Sequence, residues 1–210
     1  MEEKDYSKDN SNLLKELGLL NDEKTSKRRR LPDYSALRFF DYEQCFAYYA
    51  KQIKNLRQAK IKGEVIVAKP VLLLALLDGI DERVFDDNEF CLNEWLETRY
   101  TSLMVKYTQS SQFTNITGIE NPFWHLATDG FWNLRYGHEP PNGVSPSKKW
   151  LKEEVDYAYF DESLWILLQN RTWRTKLRDY IVEHKLSDSS ADYRMAAEGL
   201  GMLVAILLAA

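Results

Sequence analysis

Apolar residues along this chain recur mostly at helical spacing. Tyr42, Cys45, Phe46, Tyr49, Ile53 and Leu56 fall at three- and four-residue steps and form one apolar stripe. Asp41 with Gln44 three residues on resembles a capping box with Asp in place of Ser or Thr, so a helix is expected to begin there and to end before Gly63. Residues 64–68 (EVIVA) read as a short extended segment. Lys69-Pro70 then opens a second helix, because a proline at the first helical position gives up an N–H that has no intrahelical partner. Residues 71–77 (VLLLALL) are apolar on every side, which predicts a helix buried all round, and Gly79 after Asp78 reads as its stop. Leu92, Trp95, Leu96, Tyr100, Leu103, Met104 and Tyr107 carry the stripe through a third helix.

The pattern changes at residues 121–136 (NPFWHLATDGFWNLRY), where Asp129-Gly130 stands between two aromatic-rich runs. That dipeptide suits a two-residue loop with positive φ at both positions and predicts a β-hairpin. Alternation would place Phe123, His125, Trp132 and Leu134 on one face, with Trp124, Leu126, Phe131, Asn133 and Arg135 on the other. Residues 109–118 and 137–146 read as loops. Two helices close the pattern. The first carries Leu164, Trp165, Leu167 and Leu168 behind a cap at Asp161. The second is capped by Asn170, with Trp173, Leu177, Tyr180 and Ile181 inward and Arg171, Arg174, Lys176 and Arg178 mostly outward. The expected fold is mainly α with one central β-hairpin, an α+β, winged-helix-like helix–helix–hairpin arrangement.

Length sets the frame: 210 residues suit one domain with appendages. Residues 1–33 form a charged arm read as flexible, 34–186 the domain, and 187–210 a linker and apolar tail. Cys45 and Cys91 both sit in apolar, helix-like patterns and offer neither a metal pair nor a disulfide framework, so a reducing compartment fits. The first 30 residues are too charged for a secretory signal, and the longest apolar stretch, 199–210, reaches only about two-thirds of a bilayer span. A soluble, cytoplasmic protein with no membrane partner is expected. The net charge of −4 excludes a uniformly basic surface, but the charges are segregated. Residues 51–70 hold Lys51, Lys54, Arg57, Lys60, Lys62 and Lys69 against one acid, whereas 78–97 hold eight acids against one base. A polyanion would therefore meet one face.

Enzyme signatures are missing. None of His125, His138 and His184 is spaced with a second ligand like a zinc site, and no glycine-rich phosphate loop occurs. Glu183-His184-Lys185 matches half of a nuclease metal motif only superficially, since on a helix its side chains fan apart by about 100° each. The acids of 78–97 lack calcium-loop spacing and read as a solvated helix junction. No catalytic residue, metal or cofactor is expected. Lys69, at a helix N-terminus, either meets phosphate or is an exposed lysine before a proline.

Residues 69–80 (KPVLLLALLDGI), followed by the N-P-F-W-H-L-x-x-D-G-F-W-x-L pattern of 121–134, resemble the DNA sulfur-binding domain of phosphorothioation-dependent McrA-type restriction endonucleases, which carry an HNH nuclease domain further along the chain. The closing helices fit that pattern less specifically. The resemblance implies a non-catalytic module that holds a phosphorothioate sulfur in a shallow apolar cavity on double-stranded DNA. Pro122 matches the cavity proline. Asn121 stands where characterised members have tyrosine, which makes the cavity smaller and more polar. His125 falls where a small residue lines the cavity. There it contacts phosphate, partly fills the pocket, or faces the core with its ring satisfied. Trp124 stacks on DNA or steadies the hairpin. Lys69, Arg174 and Arg178 are candidates for backbone contact.

No histidine or cysteine follows residue 186, so no HNH domain is expected there, and a separate nuclease subunit becomes an expected partner. The rival expectation is a protein-interaction subunit of a defence complex whose nuclease is a separate chain, with the apolar tail docking on that partner.

Overall fold

The Asp41 carboxylate accepts the Gln44 amide at 2.7 Å, and behind this cap α1 runs Tyr42–Lys54. The computed structural model describes residues 39, 41–61, 64–108, 117–138 and 145–186. These fall within one compact unit, Pro32–Ala210. The arm of 1–33, the tail of 187–210 and most of the two expected loops lie outside the described residues.

Two short strands, β1 (Lys60–Ile61) and β2 (Glu64–Val65), pair antiparallel after α1. The next helix, α2 (Ala68–Asp81), starts before the proline. Pro70 is its third residue, still inside the first turn where no N–H has an intrahelical acceptor. Every residue from Ala68 to Ile80 is buried, so the all-apolar run forms the centre of the core as its pattern predicts. Gly79 does not stop the helix; a Cβ there would come within 2.5 Å of the Phe85 ring, so glycine admits the returning chain. Helix α3 (Glu94–Thr108) packs along α2.

The expected hairpin is not formed. Residues 120–125 make α4 (Glu120–His125), followed by a 3-10 turn, Leu126–Asp129, which ends at Gly130 with φ of 84°. Only the second aromatic run is a strand, β3 (Trp132–Tyr136). It pairs antiparallel with β4 (Val155–Phe160), with α5 (Lys148–Glu154) between them in sequence. Two physical reasons favour the helix. Pro122 has no N–H for a strand ladder but is free of cost in a first helical turn. Pro122 and Phe123 are also neighbours that are both buried, which two-residue alternation cannot deliver. The winged-helix-like order is replaced by helix–strand–helix–strand in this region, while the mainly helical class holds.

Helices α6 (Glu162–Gln169) and α7 (Arg171–Ile181) close the described fold, and one π-helical turn, Val182–Leu186, extends α7. Asn170 caps α7 through Thr172 N at 3.0 Å and Trp173 N at 3.4 Å. Asp161 precedes α6 without a side-chain cap; its carboxylate instead accepts from the Tyr49 hydroxyl at 3.3 Å and Asn133 at 3.4 Å. Trp132 is fully buried and its indole N–H donates to the Phe123 carbonyl at 2.9 Å, fixing β3 against α4. Cys91 is exposed and not helical, unlike Cys45. No described helix is long and apolar enough to cross a membrane.

Candidate functional site

The helical form of α4 changes which side chains stand together. In a strand, Pro122 would point away from Asn121 and His125. On a helix, the same three positions fall within an arc of about 100°, with Pro122 at one edge of it. Pro122 is buried, and Asn121 and His125 are half-buried. The His125 ring is bonded, Nε2 to the Ser145 hydroxyl at 2.6 Å. Trp124 is half-buried, packing edge-on to Trp150 at 5.8 Å and tilted to Tyr136 at 5.6 Å, so its contacts are those of a buttress.

The turn after α4 carries Asp129 to the N-terminal end of α2. Its Oδ2 meets Lys69 Nζ at 2.5 Å, and its Oδ1 accepts the Arg57 backbone N–H at 3.1 Å. Both side chains are enclosed, Lys69 at 11 % and Asp129 at 4 % exposure, so Lys69 is not an open surface lysine. Lys185, from the π-helical turn after α7, reaches the same place: its ammonium donates to Gln58 Oε1 at 3.1 Å. Burial holds the Lys185 pKa below the ordinary lysine value, and the negative charge of Asp129 pulls it upward. Three segments thus bring two ammonium groups and a loop amide, that of Arg57, towards one carboxylate in the turn after α4.

Arg174 and Arg178 lie elsewhere. Arg174 is buried rather than outward, paired with Asp81 at 2.6 Å and donating to the Leu168 carbonyl. Arg178 pairs with Asp78, and Arg99 approaches the same carboxylate at 2.5 Å. The Asp78 side chain is 7 % exposed, so this acid belongs to a buried charge network and not to a solvated junction. With 1.5 Å of rise per residue, Asp78 and Asp81 stand about 14 and 18 Å along α2 from Lys69. Lys69 thus meets the turn that follows the Asn121–His125 helix, whereas Arg174 and Arg178 pair at the other end of α2.

The side chains of Lys51, Lys54, Arg57 and Lys60 are exposed and make no ion pair among the described residues. Lys51 and Lys54 are one turn apart on α1, and beyond its end the Arg57 backbone meets Asp129. This row was visible in the sequence as charge segregation. Asp129 and Lys185 had no local signal: the first reads as a turn residue, the second as part of a chance tripeptide. Among the described residues, no group of three or more His, Cys, Asp or Glu is arranged to hold a metal ion.

A family model described as ScoMcrA-like, DNA sulfur-binding domain matches residues 48–202. That span takes in every site residue named above. No curated protein matches the chain.

Proposed function

The chain belongs to the ScoMcrA-like DNA sulfur-binding domain family, and we propose that it reads phosphorothioate-modified duplex DNA without cutting it, as part of a restriction or defence system. The observation that supports this reading is the family match over residues 48–202, together with Asp129, in the turn after the Asn121–His125 helix, being joined to Lys69 and to the Arg57 backbone of the exposed basic segment. Sulfur in place of a non-bridging oxygen is larger, softer and a poorer hydrogen-bond acceptor, while the linkage keeps its charge. A proline-floored rim favours the sulfur over a well-hydrated oxygen. The cations track the flanking phosphates and contribute affinity without sequence information.

In this reading Asn121 and His125 form the rim, Pro122 the floor, and Lys51, Lys54, Arg57 and Lys60 the backbone contacts. Arg174 and Arg178 hold α7 to α2. Strand cleavage belongs to a separate nuclease subunit, and DNA as the ligand calls for a cytoplasmic location.

The test is a competition gel shift with one duplex, plain or carrying a single phosphorothioate of either stereochemistry. One modified stereoisomer is expected to displace the bound probe at lower concentration than the plain duplex, and Pro122→Ser to shrink that difference. Equal competition by all three duplexes at low and moderate salt would defeat the sulfur reading even with DNA binding intact.

A further inference from the structure

We infer that Lys69, Lys185 and the Arg57 amide form a phosphate subsite that the Asp129 carboxylate occupies in the free protein, as an internal stand-in for a DNA phosphodiester. The inference rests on the DNA-binding reading and adds to it a named subsite and its resident occupant.

The geometry has the features a bound phosphate oxygen pair would need. One carboxylate oxygen takes an ammonium at 2.5 Å and the other takes a backbone N–H at 3.1 Å, the donor pair that commonly meets phosphate. Lys185 stands close enough to feel the Asp129 charge while bonded to a neutral partner, Gln58, which is itself anchored to the Ile66 carbonyl at 3.1 Å. The group therefore carries two cations against one anion, and its amide belongs to Arg57, whose side chain is exposed. The Asp129 side chain is 4 % exposed, on a four-residue 3-10 turn that ends at a left-handed glycine, Gly130 with φ of 84°. While the carboxylate stays in place, the Lys69 ammonium is paired and closed to a phosphate.

Neutralising Asp129 removes the competitor. Asp129→Asn keeps the shape and an oxygen for the Arg57 amide but releases Lys69. The expected result is tighter binding of plain and phosphorothioate duplexes alike, with the slope of log affinity against log salt steeper by about 0.9. At 0.1 M salt one such additional contact corresponds to about eightfold tighter binding relative to the 1 M extrapolation. The ratio of modified to plain affinity stays unchanged, because the subsite holds a phosphate and not the sulfur. In the double variant Lys69→Gln, Asp129→Asn the gain disappears.

Lys185→Gln is the second arm, at a half-buried position whose loss leaves the α2 contacts in place. It is expected to make the salt slope shallower, by up to about 0.9. A gain with Asp129→Asn that survives in the double variant, an unchanged or shallower slope with Asp129→Asn, or an unchanged slope with Lys185→Gln overturns the subsite. Failure of the wild-type protein to bind either duplex overturns the DNA-binding reading itself, which separates the two failures.

Discussion

Arg174 shows how one residue's role can differ from its pattern. The spacing of α7 places it on the polar side, yet it is buried, because Asp81 and the Leu168 carbonyl receive its guanidinium. A guanidinium presents several donors in one plane and can be enclosed when each meets an acceptor. Sequence spacing reports which face a residue is on, but not whether an acid from another helix waits there. The same holds for Asp78, which takes both Arg99 and Arg178 at 7 % exposure. Removing Asp78 takes this partner from Arg99 and leaves Arg178 with Asp81 alone, at 3.5 Å. Asp78→Ala is therefore expected to cost about 3 kcal/mol of unfolding free energy in urea titration. DNA affinity of the folded fraction is expected to hold, since the network lies far from Lys69. A variant of full stability that no longer binds DNA would reverse these roles.

At the scale of elements, the caps and apolar stripes of α1, α2 and α7 were legible, because each follows from local chemistry: Asp41 and Asn170 as caps, and a continuous apolar run for a helix at the centre. The aromatic segment was not. Asp129-Gly130 does mark a change of direction, and Gly130 does take positive φ, but it ends a 3-10 turn and not a strand. The partner of β3 lies on β4, beyond α5, and no short-range pattern announces that pairing. The helix nevertheless brings the three residues singled out by the family resemblance onto one arc.

Helix α5 is tied to α3 by Glu97, which pairs with Lys148 at 2.9 Å and with Lys152. Burial alone would raise the Glu97 carboxyl, but the bonds to Lys152 and Lys148 outweigh it and hold its pKa below the ordinary value. A depressed folded-state pKa stabilises above the ordinary carboxylate range, and that contribution is lost as pH falls through the folded value. Unfolding free energy measured from neutral pH downward should therefore fall less steeply for Glu97→Gln than for the wild type. Parallel pH profiles for the two proteins would exclude Glu97 as the source.

Across the whole molecule, charge is sorted along α2. Its N-terminal end carries Lys69, joined through Asp129 to the Arg57 backbone, with Lys185 nearby on Gln58, while its C-terminal end holds the pairs of the enclosed Asp78 and the exposed Asp81. The segregation of bases before α2 and acids after it was readable in the sequence. Their assignment to opposite ends of one buried helix was not, since it depends on α7 running back along α2 so that Arg174 meets Asp81, Arg178 meets Asp78 and Lys185 reaches the far end. The central claim is that DNA docks at the N-terminal end. Photo-crosslinking tests it most directly, with a benzophenone amino acid placed singly at Lys54, Lys60, Glu82 or Lys176, all exposed, and a phosphorothioate duplex as the target. Crosslinks to DNA are expected from positions 54 and 60 and not from 82 or 176; crosslinks confined to 82 and 176 would contradict the claim.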